Sequence, residues 1–144
     1  MVAYYEVKVR FNRLVDEGDR RVTEIYLVNA LSVTEAKARV ITKLDPYVSY
    51  GYIEIVNVSA CKYCELLLND ENYYYKAKVE VERINEKTGR ASKSSTLSLL
   101  INAEDIESAF VICRRYIKES VETLKLTSIS ECPIVGVIND SMEL

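Results

Sequence analysis

Residues 3–11 read Ala-Tyr-Tyr-Glu-Val-Lys-Val-Arg-Phe, and residues 73–81 read Tyr-Tyr-Tyr-Lys-Ala-Lys-Val-Glu-Val. Both stretches alternate. Ala3, Tyr5, Val7, Val9 and Phe11 share one face of the first, and Tyr73, Tyr75, Ala77, Val79 and Val81 share one face of the second. Successive strand residues point to opposite sides of a sheet, so a period of two marks a strand buried on one face. The opening strand thus recurs seventy positions later, and the residues between follow suit.

Downstream of the first strand, Asp16-Glu17-Gly18-Asp19 is a turn cluster, and Arg21 to Ala30 alternates again, which predicts a hairpin. Ser32 with Glu35 is a capping box, and Val33, Ala36, Val40 and Leu44 form the apolar stripe of an amphipathic helix. Asp45-Pro46 ends it, because a residue before proline is pushed out of the α region. Tyr52 to about Leu68 is β-rich, as two strands or one bent strand. In the second half, Asn85 to Arg90 is the turn, Ser94 to Asn102 the next strand, and Ile106, Ala109, Cys113 and Ile117 the helix stripe, with Asp105 in the capping position. Ile53, Ile55, Val58 and Cys61 then correspond to Leu124, Leu126, Ile129 and Cys132.

The expected fold is α+β: a duplicated β-β-α-β unit over residues 3–69 and 73–138, with two helices packed on one side of antiparallel sheet about a pseudo-twofold. Asn69-Asp70-Glu71-Asn72 is a tight turn and not a linker, so residues 1–144 are expected to share one core as a single domain.

Composition narrows the chemistry. Of 144 residues, 49% are apolar and 28% charged, ordinary values for a globular chain. Histidine is absent, which removes His-based triads, His general bases and His-containing metal sites. No G-x-x-x-x-G-K-[ST] and only four glycines leave no phosphate cradle. Glu104, Asp105 and Glu107 open a helix, where negative charge suits the dipole without catalysis. Ser92 to Thr96 offers hydroxyls with nothing to activate them. No enzyme and no cofactor are expected.

Cys61-Lys62-Tyr63-Cys64 has metal or redox spacing, yet it sits at a strand end without a glycine knuckle or a second C-x-x-C; no metal is expected. The N-terminus carries a charge every second or third residue and has no apolar core of a signal peptide, and no stretch is long enough to span a membrane. A cytoplasmic location with reduced thiols is expected.

Tyrosine stands out, with 11 residues against two Phe and no Trp. Tyr4 and Tyr74 fall on the polar strand faces, with Lys8, Arg10, Lys76 and Lys78 beside them. Lys87, Arg90 and Lys93 add a basic segment around the second hairpin turn. Aromatics interleaved with cations on an open sheet stack bases and track phosphates. Tyrosine is also a good strand former, and a net charge of −3 attracts phosphate weakly.

The stretches Tyr4 to Val9, Val22 to Ala36, Tyr74 to Val79 and Glu86 to Gly89 resemble an uncharacterised domain-of-unknown-function family of about this length, found in gut bacteria, their phages and mobile elements. The resemblance covers most of the chain and implies a context of replication or host-interaction accessories; it implies no site residues. Two readings follow: a non-enzymatic binder of single-stranded nucleic acid, with Tyr4, Lys8, Arg10, Tyr74, Lys76, Lys78, Lys87, Arg90 and Lys93 as its surface, or a protein–protein module pairing with another copy or a host protein.

Overall fold

The alternating stretches fold as long hairpins. The computed structural model describes residues 3–16, 18–82, 89 and 95–139. Strand β1 (Ala3–Val15) pairs antiparallel with β2 (Gly18–Ala30), Ala3 opposite Ala30 and Val15 opposite Gly18. Helix α1 (Val33–Leu44) follows, then a single 3-10 turn (Asp45–Tyr47) and β3 (Val48–Ala60), which returns along the other edge of β1. The short β4 (Glu65–Leu67) precedes the second hairpin, β5 (Tyr73–Glu82) with β6 (Ser95–Ala103). Helix α2 (Ile106–Glu119), β7 (Thr123–Glu131) and β8 (Ile134–Ile138) complete an α+β fold. Apart from Gly89, the expected turn at 85–90 lies outside the described residues.

The chain divides into two compact units, Met1–Cys61 with Pro133–Leu144, and Lys62–Cys132. The first holds a sheet of order β3-β1-β2-β8 and the second a sheet of order β4-β6-β5-β7. Each sheet carries its own helix. The unit boundaries differ from the repeat boundaries. A β-β-α-β set leaves one edge of its second strand unpaired, and the closing strand of the other half fills it. Thus β8 pairs parallel with β2, and β4 pairs parallel with β6.

Register supports the correspondence between halves: Val7 faces Tyr26 as Ala77 faces Leu99, and Val9 faces Glu24 as Val79 faces Leu97. In the first unit, Val7, Val9 and Phe11 of β1 meet Tyr26, Val28 and Ala30 of β2 beneath Ala36, Val40 and Leu44 of α1. In the second, Tyr75, Ala77 and Val79 meet Leu99, Ile101 and Ala103 beneath Ala109 and Cys113 of α2. Each larger apolar side chain so buried contributes about 1.5–3 kcal/mol.

The helix starts follow their capping residues. The Glu35 N–H donates to Ser32 Oγ at 3.1 Å, and the Ser108 N–H donates to Asp105 Oδ1 at 2.7 Å. That bond holds the Asp105 carboxyl below its ordinary value.

Candidate nucleic-acid interface

The face of β1 turned away from α1 carries Tyr4, Glu6, Lys8 and Arg10, which sit opposite Asn29, Leu27, Ile25 and Thr23 of β2. Its two ends differ. Lys8 is exposed and forms no ion pair with a described residue. Glu54 of β3 lies between two guanidinium groups, 3.6 Å from Arg10 and 3.5 Å from Arg21, and Arg10 Nε donates to Thr23 Oγ1 at 3.3 Å. Ile53 packs on the core side, so Tyr52 and Glu54 stand on the outer face, where Tyr52 is 82% exposed. Three cations, one carboxylate and an open aromatic ring therefore share this end. A ring exposed to that degree can stack on a base, and weakly hydrated guanidinium groups bind phosphate oxygens in a fork.

The Tyr4 end is more enclosed. Tyr4 is half-buried, and its hydroxyl accepts from Asn139 Nδ2 at 3.4 Å, while Asn139 Oδ1 accepts from Asn29 Nδ2 at 3.3 Å. Leu27, on the same face, is fully buried. Glu6 Oε2 is buried there and receives no hydrogen bond from a described residue.

In the second unit, Tyr74 and Lys76 are half-buried and Lys78 is exposed. Lys76 lies between Leu100 and Ser130, and Lys78 between Ser98 and Ser128. Leu100 is fully buried, as Leu27 is. Lys125 stands opposite Glu80 and adds a cation to a face rich in small hydroxyls.

Of the residues singled out from sequence, Tyr4, Lys8 and Arg10 thus share one sheet face and Tyr74, Lys76 and Lys78 another. Lys87, Arg90 and Lys93 lie outside the described residues. Sequence reading passed over Arg21 and Tyr52 as members of the surface. The signal for Arg21 was available in the β2 alternation. Tyr52 was obscured because β3 slips register against β1 around Gly51, whose φ of +77° suits glycine.

The cysteines sit at the chain crossings and in a helix. The Cys61 N–H donates to the Tyr4 carbonyl at 3.0 Å, as the Cys132 N–H donates to the Tyr74 carbonyl at 2.9 Å. Tyr63 Oη lies 3.2 Å from Cys132 Sγ. Burial pushes the Cys64 thiol up, and Cys113 is fully buried on the core-facing side of α2. Among the described residues no group of three or more Cys, Asp or Glu side chains is placed to hold a metal ion. No helix of the described residues is long and apolar enough to cross a membrane.

A family model described as "Domain of unknown function (DUF4494)" matches residues 3–140. No curated protein and no solved structure matches the chain.

Proposed function

The chain belongs to this family of unknown function, and we propose that it is a non-enzymatic accessory protein of phage or mobile-element type that binds single-stranded nucleic acid in the cytoplasm. The observation that carries the reading is the open end of the first sheet, where Tyr52 is 82% exposed on the face that also holds Lys8, Arg10 and Arg21. Tyr52 supplies the stacking surface, and the three cations follow the backbone. Tyr74, Lys76 and Lys78 belong to a second contact, with Lys87, Arg90 and Lys93 beside it in sequence. Tyr4, held through its hydroxyl, supports the surface from its enclosed end.

Labelled single-stranded DNA in fluorescence anisotropy tests the assignment residue by residue. Tyr52→Ala is expected to cost about 1–3 kcal/mol of binding, the range for loss of one stacked base. Lys8→Gln is expected to weaken binding and reduce the salt slope by about 0.7, the value for one single-strand phosphate contact. Unchanged affinity in both variants contradicts this surface.

A protein–protein module is the second reading, and α2 favours it. Ile106, Phe110 and Val111 are 45%, 46% and 55% exposed on that helix, and the Arg114 guanidinium lies 5.9 Å above the Phe110 ring. Light scattering distinguishes the two: a stable dimer lost on Phe110→Ser, with no DNA binding, supports the module.

A further inference from the structure

The two hairpins keep one register but differ chemically at one place. Where the second unit has Leu97 and Leu99, the first has Glu24 and Tyr26. Where Glu65 of β4 stands beside Leu99, Gly136 of β8 stands beside Tyr26. The first unit has used these positions to build a polar network. Tyr26 Oη donates to Glu24 Oε1 at 2.7 Å, and Arg13 Nη2 donates to the same oxygen at 3.0 Å. The Arg13 guanidinium also lies 5.1 Å from the Tyr47 ring centroid and 5.5 Å from that of Phe11. Its Nε and Nη1 make no hydrogen bond to a described residue.

This network borders a cavity of about 360 Å3, lined by Arg13, Tyr26, Lys43, Tyr47 and Gly136, with apolar walls from Leu44 and Ile138. Gly136 lines it beside the Tyr26 ring: a Cβ there would sit in ordinary contact with the ring at 3.5 Å, so a larger side chain on that Cβ would occupy space next to it. The second unit packs Leu97 and Leu99 at the positions of Glu24 and Tyr26, so a hairpin of this register forms with apolar residues there. Partly buried ion pairs are commonly replaced by apolar residues without loss of stability. A charged network retained beside an open cavity instead matches the composition of a ligand site, apolar walls with a few convergent polar groups.

We propose that this pocket binds a small organic anion, a carboxylate or phosphate group carried on a planar apolar body. Arg13 and Lys43 against Glu24 leave one net positive charge. The unused Arg13 donors and the Lys43 ammonium receive the anion, and the planar body lies against Tyr47, whose ring is half exposed. The inference stands apart from nucleic-acid binding on the sheet face, because none of the residues in that surface lines the cavity.

The test is an amide chemical-shift titration of the full chain with benzoate, phenyl phosphate and the neutral benzyl alcohol. Benzoate or phenyl phosphate is expected to give saturable shifts at residues 43–47 and 135–138, and the stronger of the two identifies the anion class. Benzyl alcohol is expected to bind at least about tenfold more weakly, the loss that accompanies removal of a charge-assisted contact. Gly136→Leu fills the cavity and is expected to abolish the shifts. Lys43→Gln, on the exposed helix end and safe for folding, is expected to reduce affinity several-fold. The proposal is overturned by saturable shifts from neither anion, by equal binding of the alcohol, or by undiminished binding in Lys43→Gln.

Discussion

Asn102 is 2% exposed and, among the described residues, makes more hydrogen bonds to backbone than either helix-capping side chain. Its Oδ1 accepts from the Asn69 and Glu71 N–H groups at 3.2 and 2.7 Å, and its Nδ2 donates to the Glu71 and Tyr73 carbonyls at 2.9 Å each. It thereby fixes the turn between β4 and β5. Asn102→Ala leaves several partly buried backbone groups without their side-chain partner and is expected to cost about 2–4 kcal/mol, read from urea unfolding. Asn29, its counterpart in the first unit, has a buried Oδ1 with no hydrogen bond from a described residue, so Asn29→Ala is expected to cost less than half as much. Asp105 offers a pH test. Its carboxyl is held below the ordinary carboxylate value by the Ser108 N–H, so its contribution is present above about pH 4 and is lost as the pH falls through the lower folded value. Asp105→Ser keeps a capping oxygen and is expected to flatten that part of the stability–pH curve; an unaltered slope contradicts the assignment.

At the scale of elements, β8 is the informative strand. It supplies Ile138 to the first core and is the parallel neighbour of β2 over Ile25 to Val28. Truncation after Cys132 is therefore expected to expose the β2 edge and remove amide-exchange protection at Leu27 and Val28, while Leu99 and Ile101 in the second unit keep theirs. The β4 and β8 pairings were also the part of the fold that could not be read from sequence. Hairpins were legible because their alternation is local and each turn carries a glycine, Gly18 in the first and Gly89 in the second. Helices were legible from Ser32 and Asp105 and from stripes that bury Ala36, Val40, Ala109 and Cys113. Strand β4 has three residues, and nothing within Glu65–Leu67 specifies that its neighbour is β6. The candidate surface was legible to the same extent: Lys8 and Arg10 followed from alternation, whereas Tyr52 depended on an irregular register.

For the whole molecule, the net charge of −3 makes phosphate attraction a local property of the sheet face. Binding carried by a few cations and stacked tyrosines should prefer single strands, whose bases are free to stack, and should weaken with salt. The most direct measurement is fluorescence anisotropy with a labelled single strand of about 30 nucleotides, ample for sites of about 4–16 nucleotides, at low and moderate salt beside a duplex control. We expect micromolar or tighter binding that favours the single strand and declines with salt. No binding at low salt, or equal binding to the duplex, contradicts the assignment of this protein as a single-strand binder.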